Sequence, residues 1–499
     1  MFNKILIANR GEIAVRIIRA CRETGIRTVA VYSEADRNAM HVRFADEAFL
    51  IGPAPARESY LNVERILIVA RQSGADAIHP GYGFLAENPS FADKCEAAGL
   101  TFIGPSSDAQ RAMADKTAAR RRMLEAGIPI VPGTTEPIAS FAEAAEAAAG
   151  IGYPVIIKAA GGGGGKGMRI VASEAALADA VRMATSEVKA AFGESAVYIE
   201  KYVEPARHIE VQLLADNFGN VIHLGERECS VQRRYQKLIE ESPSPALDDN
   251  LRHQITATAV RAAVAANYNN AGTAEFLLAP DGKFYFLEMN TRLQVEHPVT
   301  EFVTGVDIVK AQIHLAAGEK LRFTQEEIHP QGAAIECRIY AEDPYNMFLP
   351  SIGVIRAIQE PSGPGVRIES AAHYGMPITV YYDALIAKII TWGSTRHEAI
   401  NRMRRALREY QIVGVKTTKP FHQFVMEDDT FCGGAYDTKY VQKVWGAQTQ
   451  EVEDLSPVAA LAATLVAHAG RATRHRAAAQ RETDSPWKYF GRREMMRRT

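Results

Sequence analysis

The sequence predicts a multidomain α/β and α+β protein whose first domain contains a parallel β-sheet. Its 499 residues are too many for one hydrophobic core, so roughly two to four domains are expected. Over the first 114 residues, short β-branched runs alternate with amphipathic helical patterns, which is typical of βαβ units. Longer strand-like segments follow between about 206 and 330, and mixed α and β patterns follow beyond 330.

The N-terminal segment is predicted to contain strands at 5–8, 28–32, 75–78 and 101–103. Gly11 follows the first of these strands and begins the first predicted helix. The N-terminus of a helix suits contact with an anion or a nucleotide. The residues around Gly11 do not match the GxGxxG pattern, so they give little support for a dinucleotide site.

A glycine-rich loop follows a strand predicted at 153–158. Glycine occupies 161–165 and 167, with Lys166 between them. Because glycine has no Cβ, consecutive glycines let backbone amides approach phosphate oxygens closely. The flanking residues do not fit a Walker A loop, so a phosphate-binding loop of another type is predicted. A flexible linker is the alternative, but the strand-like runs on both sides and Lys158 at the mouth of the loop argue against it.

Two acidic residues are predicted to meet across a hairpin. Glu275 and Glu288 lie on neighbouring strand-like runs, and Asp281-Gly282 is a typical hairpin turn between them. Either glutamate alone would be an ordinary solvated strand residue. Paired, and followed by Asn290, they offer the hard oxygen ligands that Mg²⁺ prefers.

The segment that follows this hairpin carries polar residues at alternate positions. If it is extended, Arg292, Gln294 and Glu296 lie on one side. Arginine can bind a planar carboxylate-like anion through two N–H groups, and glutamine can add a hydrogen bond. Glu296 could then act as a base toward a proton carried by that anion. A surface strand edge with mixed charge is the alternative.

The stretch 226–237 is densely polar but follows an apolar strand predicted at 220–224. A surface loop and a functional segment are both compatible with this composition.

The overall composition excludes several classes of protein. A formal net charge of −2 argues against a nucleic-acid-binding protein, and no apolar run is long enough to span a bilayer. The five cysteines are widely spread and suggest neither a disulfide framework nor a metal site, as expected in a reducing cytosol. The N-terminus enters a strand-like run at once, so a cytoplasmic protein without a leader peptide is expected.

The composition changes beyond residue 447. An alanine-rich helix is predicted from Ser456-Pro457 to Gly470, and 471–499 contain nine Lys or Arg residues against three Asp or Glu. A loosely ordered tail and a tail that docks a partner are both compatible with this segment.

Taken together, these segments resemble the biotin carboxylase family of the ATP-grasp superfamily. The resemblance covers about the first 445 residues in register and includes the motifs ANRGEIA at 8–14, HPGYGFL at 79–85 and ECRIYAEDP at 336–344. It implies a Rossmann-like N-terminal domain at 1–114 and an ATP-grasp domain at 115–330, with a mobile glycine-rich lid at about 131–205. A mixed α/β C-terminal domain at 331–446 would precede the alanine-rich and basic segment at 447–499.

The resemblance also implies a role for individual residues. Those expected to contact ATP are Lys116, Lys158, Gly163, Gly164, Gly165, Lys166, Gly167, Glu200, Lys201, Val203, His208, Gln232 and Tyr235. Those expected to hold Mg²⁺ or Mn²⁺ are Glu275, Glu288 and Asn290. Those expected at bicarbonate are Lys237, Arg292, Gln294, Val295 and Glu296, while Tyr82 and Arg338 would border biotin. Glu296, Arg338, Arg292 and Lys237 are the expected catalytic residues. Tyr235 departs from the family pattern, which often has His there.

The implied activity is the carboxylation of biotin with ATP and bicarbonate, through carboxyphosphate. The family's biotin-carrier signature is Met-Lys-Met, and no Met in this chain is followed by Lys. We therefore expect a separate biotin carboxyl carrier protein and a separate carboxyltransferase subunit. Residues matching Arg19 and Glu23 contribute to a homodimer contact in the family, although a pair within one helix is the simpler interpretation. Two alternatives are another ATP-grasp ligase and a non-catalytic protein that binds ATP.

Overall fold

The computed structural model describes residues 1–160, 168–192 and 196–446, together with positions 464 and 493. The glycine loop at 161–167 and nearly all of the segment beyond 446 lie outside the described residues. Within the described ranges, no helix combines the length and the apolar character that a bilayer span requires.

The first 114 residues form the parallel sheet that their alternating pattern predicts. Its elements are β1 (Lys4–Ile7), α1 (Gly11–Glu23), β2 (Arg27–Ser33), α2 (Met40–Phe44), β3 (Glu47–Gly52), α3 (Val63–Ser73), β4 (Ala77–His79), α4 (Pro89–Ala97), β5 (Thr101–Phe102) and α5 (Ser107–Ala114). The parallel strands lie in the order β3-β2-β1-β4-β5. The sequence pattern does not predict β3, because this edge strand is half exposed and lacks the continuous apolar run of a central parallel strand.

The next segment forms a small antiparallel sheet beside the glycine loop. Its elements are α6 (Lys116–Glu125), α7 (Phe141–Ile151), β6 (Val155–Ala159), β7 (Arg169–Val171), α8 (Leu177–Phe192) and β8 (Val197–Lys201). The strands lie in the order β7-β6-β8. The Lys116 N–H donates to the Ala160 carbonyl at 3.0 Å, which attaches the start of α6 to the mouth of the loop.

A large antiparallel sheet dominates the rest of the structure. The chain before 330 contributes the strands β9 (Arg207–Ala215), β10 (Val221–Arg233), β11 (Gln236–Ser242), β12 (Asn270–Leu278) and β13 (Phe284–Asn290) to this sheet. The same segment contains the helices α9 (Asp249–Ala265), α10 (His297–Thr304) and α11 (Ile308–Ala316). The chain beyond 330 continues with β14 (Ala333–Tyr340), β15 (Glu342–Asp343), β16 (Leu349–Pro350), β17 (Gly353–Val354), β18 (Ala357–Gln359), β19 (Val366–Ser370), β20 (Pro377–Ile378), β21 (Leu385–Gly393), α12 (Arg396–Glu409), β22 (Gln411–Val413), α13 (Lys419–Glu427), α14 (Asp429–Cys432) and α15 (Tyr440–Trp445). Of these strands, β14, β19 and β21 belong to the large sheet, while β15 and β16, β17 and β20, and β18 and β22 form three separate two-stranded sheets. The eight strands of the large sheet lie in the order β13-β12-β9-β10-β11-β14-β21-β19, so strands from both sides of position 330 belong to one sheet.

The strands beyond 330 present two chemically different faces. Cys337, Ile339 and Ile389 belong to one buried apolar cluster with residues of α12 and α13. Because side chains alternate along a strand, Arg338 and Lys388 lie on the opposite face, where they are directly paired across β14 and β21. The sheet therefore has an apolar face that packs on helices and a buried charged face.

Ion pairs connect α1 to later parts of the chain. The Arg16 guanidinium binds Glu301 at 3.0 Å and Asp307 at 2.6 Å. Glu23 on the same helix pairs with Lys310 at 2.5 Å rather than with a residue of α1. Arg367 on β19 also binds Glu301, at 2.7 Å. Glu301 is therefore paired with arginines from two elements, α1 and β19.

We expect Phe276→Ala to destabilise the large sheet by about 3–5 kcal/mol in denaturant unfolding. The Phe276 ring is fully buried and meets the rings of Phe284 and Phe286 edge-on, at centroid distances of 5.9 Å. Phe218→Ala is the matched control, because Phe218 is 57% exposed and its loss should cost within about 0.5 kcal/mol. Equal losses in the two variants would contradict this packing.

Candidate active site

The site begins at the small sheet, where Lys158 and Glu200 lie on adjacent strands. Both are buried, and the Lys158 ammonium contacts the Glu200 carboxylate. Arg120 on α6 contacts the other oxygen of the same carboxylate. A buried carboxylate needs such partners, because an uncompensated charge in a protein interior is very costly. Glu200 thus fixes Lys158 at the mouth of the glycine loop.

The hairpin of β12 and β13 brings Glu275 and Glu288 together as predicted. The two residues are paired directly across the strands. The Glu288 carboxylate lies 2.9 Å from the Lys116 ammonium, and the Asn290 amide nitrogen donates to Glu275 at 2.7 Å. Two opposed carboxylates with an amide beside them are a donor set that fits Mg²⁺ or Mn²⁺.

The polar stretch 226–237 is not a surface loop. It continues β10 to Arg233 and returns as β11, so the loop interpretation is wrong. Arg234 and Tyr235 form the two-residue turn with φ of 50° and 66°, as a type I′ hairpin requires. The hairpin pairs Gln232 directly with Lys237 and leaves Tyr235 exposed. Burial and the Tyr235 phenol together raise the pKa of Tyr202, which lies in the segment that follows β8.

Lys237 lies at the centre of a carboxylate cluster. Its ammonium donates to Glu275 at 3.1 Å and to Glu296 at 2.8 Å, and it also contacts Glu210. Burial alone would lower the pKa of Lys237, but these three carboxylates outweigh it and raise that pKa well above its ordinary value. Lys237 is therefore a permanent cation that joins three strands and the segment after β13.

His208 is held as an imidazolium at the same cluster. Its Nε2 lies 3.2 Å from Glu210 and 3.1 Å from Glu275. One atom of each of these three side chains that could bind a metal ion lies within 4.8 Å of the other two. Burial alone would lower the pKa of His208, but Glu275 and Glu210 raise it to about 10. At neutral pH the ring is a cation that can face phosphate oxygens.

The segment between β13 and α10 is a loop rather than a strand. Glu296 occupies the N-cap position of α10 with φ of −82° and ψ of 9°, and Pro298 lies in the first helical turn. The loop still joins two of the predicted residues, because the Arg292 guanidinium donates to the Gln294 side-chain oxygen at 3.1 Å. The simple alternation expected of an extended strand therefore does not apply here.

Glu87 positions this loop from the N-terminal part of the chain. Its carboxylate accepts from the Arg292 side chain at 2.9 Å and from the Thr291 N–H at 3.0 Å. Sequence reasoning missed Glu87, although it follows the HPGYGFL motif by only two residues. An exposed glutamate at the end of a loop carries no distinctive pattern.

Glu296 lies between two cations. Its carboxylate contacts Lys237 at 2.8 Å and the Arg338 guanidinium at 3.0 Å. Burial and the neighbouring Glu210 would raise the pKa of Glu296. Lys237, Arg338 and other cations outweigh both and hold that pKa below its ordinary value. The carboxylate is therefore ionised at neutral pH.

Two buried donors next to Glu296 have no partner among the described residues. They are the Nε2 of Gln294 and the Nε of Arg338. Buried polar groups are almost always hydrogen-bonded, so these donors are available to an anion that binds beside Glu296. Arg338 also pairs with Glu240 at 2.5 Å, a residue that sequence reasoning did not single out.

Tyr82 enters the site through Glu12 on α1. The Tyr82 hydroxyl contacts the buried Glu12 carboxylate. Burial and this carboxylate raise the pKa of Tyr82, while the Arg338 charge opposes them. The Tyr82 ring centre lies 6.0 Å from the ammonium of Lys388, the residue paired with Arg338 across β14 and β21. The structure thus brings together the two residues expected at biotin from separate parts of the chain.

Two of the expected nucleotide residues show no direct link to this cluster within the described ranges. The Lys201 ammonium donates to the carbonyls of Gly152 and Tyr153, so its side chain anchors the loop before β6. Val203 is half-buried in the segment after β8. The expected loop residues Gly163, Gly164, Gly165, Lys166 and Gly167 lie outside the described residues.

Family models cover most of the chain. The biotin carboxylase N-terminal domain matches residues 1–110, and the biotin carboxylase C-terminal domain matches 336–443. Between them, the carbamoyl-phosphate synthase L chain ATP binding domain matches 115–324.

Curated relatives match the chain over most of its length. Biotin carboxylase 1 of Bacillus subtilis is 57% identical over 89% of this chain and 98% of its own length. The biotin carboxylase of a Nostoc species is 55% identical over 89% of this chain and 99% of its own length.

A solved structure agrees with these relatives. The biotin carboxylase domain dimer of the 2-oxoglutarate carboxylase of Hydrogenobacter thermophilus was crystallised with MgADP, ADP and bicarbonate. It matches with a TM-score of 0.86 and 51% identity, over 89% of this chain and 98% of that chain.

The fold and the matches define an ATP-grasp enzyme, in which ATP drives the formation of a new bond. Within that class, the chain belongs to the biotin carboxylase family, whose members carboxylate biotin as one step of biotin-dependent carboxylases.

We expect Glu275→Gln to lower the pKa of His208 from about 10 toward its ordinary value of 6.5. The substitution keeps the side-chain volume but removes one of the two carboxylates that stabilise the imidazolium. An NMR titration of the imidazole nitrogens measures the change. Asp281→Asn is the control, since Asp281 lies in the exposed turn of the same hairpin and pairs with Lys283. An unchanged His208 pKa in Glu275→Gln would show that the Glu275 contact does not exist in solution.

Proposed function

We propose that this chain carries out the ATP-dependent carboxylation of biotin with Glu296 as the base for bicarbonate. The observation that carries this assignment is a buried, ionised Glu296 held between Lys237 and Arg338, with unsatisfied donors of Gln294 and Arg338 beside it. The solved relative with bicarbonate and MgADP supports the same choice of ligands.

Bicarbonate would lie against Arg292, Gln294 and the Val295 N–H. Arg292 supplies charge and directional N–H groups, and Gln294 supplies a free amide donor. Glu296 removes the bicarbonate proton, because its lowered pKa keeps it ionised. A bicarbonate oxygen then attacks the γ-phosphorus of ATP, the bond to ADP breaks, and carboxyphosphate forms.

The nucleotide would lie between the small sheet and the β12–β13 hairpin. Lys116, Lys158, His208 and Lys237 would place four cationic side chains around its phosphates, and Gln232 and Tyr235 would approach its other parts. Glu275, Glu288 and Asn290 would hold Mg²⁺ or Mn²⁺, which would supply positive charge to the phosphoryl group. Stabilising this charge is the main task of the protein in phosphoryl transfer.

Biotin would enter between Tyr82 and Arg338. Carboxyphosphate breaks down to CO₂ and phosphate, and the phosphate takes the proton of the biotin ureido nitrogen. Arg338 stabilises the resulting enolate-like anion, whose nitrogen forms the new bond to CO₂. Water must be excluded at this stage because carboxyphosphate hydrolyses readily. We propose that the segment 131–205 serves as the lid and that domains divide near 114, 330 and 446.

The biotin substrate would be attached to a separate carrier protein. We propose that this carrier and a separate carboxyltransferase subunit, which selects the final acceptor, complete the carboxylase in the cytoplasm. The solved relative, a biotin carboxylase domain of a 2-oxoglutarate carboxylase, supports a biotin carboxylase that works as part of a larger carboxylase. A homodimer is proposed from the dimeric relative and from the position of Arg19 and Glu23 on α1.

The direct test is ATP hydrolysis by the purified chain with Mg²⁺, with bicarbonate and free biotin varied separately. Hydrolysis that requires bicarbonate and rises with biotin supports the proposal. Hydrolysis that is indifferent to both would assign the chain to another ATP-grasp reaction. ATP binding without any turnover, even when a carrier protein is added, would favour a regulatory role.

We expect Glu296→Ala to lower the rate of bicarbonate-dependent ATP hydrolysis by about 10²–10⁴-fold, because the reaction loses its general base. Arg338→Ala should abolish biotin carboxylation, because the biotin anion loses its counter-charge. Both variants should bind ATP nearly as tightly as the natural chain, measured by isothermal calorimetry. The control is Arg408→Ala on the exposed face of α12, which should leave both reactions unchanged. Lost nucleotide affinity in either site variant would count against the assigned roles.

A further inference from the structure

Lys388 is a buried cation whose position the mechanism above does not use. It interrupts the apolar strand β21, in which Leu385-Ile386-Ala387 precede it and Ile389-Ile390 follow it. Its side chain is fully buried. A lysine is almost never fully buried unless it is paired, so its partners show what keeps it there.

The first partner is the backbone of the bicarbonate segment. The Lys388 ammonium donates to the Val295 carbonyl at 2.7 Å. That carbonyl shares a rigid peptide plane with the N–H of Glu296. The contact therefore fixes the direction in which the Glu296 side chain projects from the backbone. A charged donor to a backbone carbonyl is also stronger than a neutral one.

The peptide plane before Val295 is fixed in a similar way. The His297 Nδ1 lies 2.7 Å from the Gln294 carbonyl, and because a carbonyl can only accept, Nδ1 carries the proton. That second plane contains the Val295 N–H, which we have placed against bicarbonate. Both peptide planes that flank Val295 are therefore held by buried side chains.

The second partner of Lys388 is Glu12 on α1. The ammonium lies 3.3 Å from the Glu12 carboxylate, and the same Glu12 oxygen contacts the Tyr82 hydroxyl. The Lys388 ammonium lies 6.0 Å from the centre of the Tyr82 ring. One buried cation thus touches the bicarbonate segment directly and the expected biotin residue through one carboxylate.

We propose that Lys388 is a positioning residue that sets the relative placement of bicarbonate and biotin. It joins three parts of the chain, namely β21, α1 and the loop before α10, and it acts through Val295 and Glu12 without touching either substrate. This inference rests on the proposed function, because it assumes that Glu296 and Tyr82 face bicarbonate and biotin.

Charge compensation accounts for only part of this geometry, because the Lys388 charge acts on the buried Glu12 and Glu336 carboxylates while its ammonium donates to the neutral Val295 carbonyl. Directly across the strands, Lys388 faces Arg338 on one side and Glu369 on the other. Glu369 binds Arg367 and lies 3.9 Å from Arg16, so it has its own cations. A lysine needed only for neutrality would not have to reach a neutral carbonyl of the bicarbonate segment.

The test is Lys388→Met in the full chain, which keeps most of the side-chain length and removes the charge and the donor. We expect kcat/KM for bicarbonate to fall on the order of 100-fold, the effect of displacing a reacting group by about 1 Å. The ATP dissociation constant should stay within about twofold, because Lys388 contacts none of the described residues placed at the nucleotide. Tm is measured in parallel to confirm folding.

Glu12→Gln is the second variant and tests the contact from Lys388 to Tyr82 through Glu12. It keeps the size of Glu12 and an oxygen for the Tyr82 hydroxyl, so it also covers the case in which Lys388→Met does not fold. We expect the KM for free biotin to rise about tenfold, because a hydrogen bond to a charged group is weakened. The KM for ATP should not change.

Glu369→Gln is the matched control, since it removes a buried charge directly across the sheet from Lys388. It should leave the KM for bicarbonate within about twofold. Unchanged bicarbonate kinetics in Lys388→Met would overturn the proposal, as would an equal loss of ATP and bicarbonate affinity, which indicates a purely structural role. If the natural chain itself shows no dependence on bicarbonate, the proposed function fails and not the Lys388 assignment alone.

Discussion

The site depends on the neutralisation of buried carboxylates by buried cations. Glu210, Glu275 and Glu296 all meet the Lys237 ammonium, and Glu210 also binds the fully buried Arg227. Without these cations the carboxylates would have to take up protons on folding, because an isolated charge is too costly in a protein interior. With them, Glu296 stays ionised and can act as a base. The same electrostatic balance therefore stabilises the fold and prepares the reaction.

The continuous sheet explains how this cluster can be assembled. Strands β9, β11 and β12 carry Glu210, Lys237 and Glu275, and β14 and β21 extend the same sheet with Arg338 and Lys388. Hydrogen-bonded strands fix side chains to within narrow limits, which is the precision that an active site requires. The apolar face of β14 and β21 packs on helices, so the charged face can be devoted to the site. A flexible connection between two separate sheets could not hold Lys237 and Arg338 in fixed positions on either side of Glu296.

The loop before α10 shows how irregular backbone acquires the same precision. It belongs to no strand, yet Glu87 holds its start, while Lys388 and His297 hold the two peptide planes around Val295. These three side chains come from the N-terminal part, from β21 and from the first turn of α10. Distant segments thus pre-organise a loop, which reduces the ordering that substrate binding would otherwise have to supply.

Local patterns in the sequence were enough to predict the parallel sheet at the start, the meeting of Glu275 and Glu288 across a hairpin, and the family. Alternation, turn residues and ordered motifs are local signals, so they can be recognised in the sequence without knowledge of the tertiary structure. The tertiary structure was needed to show that 226–237 form a hairpin that is buried as far as Val231, and that 292–296 form a loop. It was also needed to show that Glu87, Glu210 and Lys388 contact the predicted site residues. The reason is physical: a polar residue is expected to be exposed, and its burial depends on a partner far away in the chain, such as Val295 for Lys388.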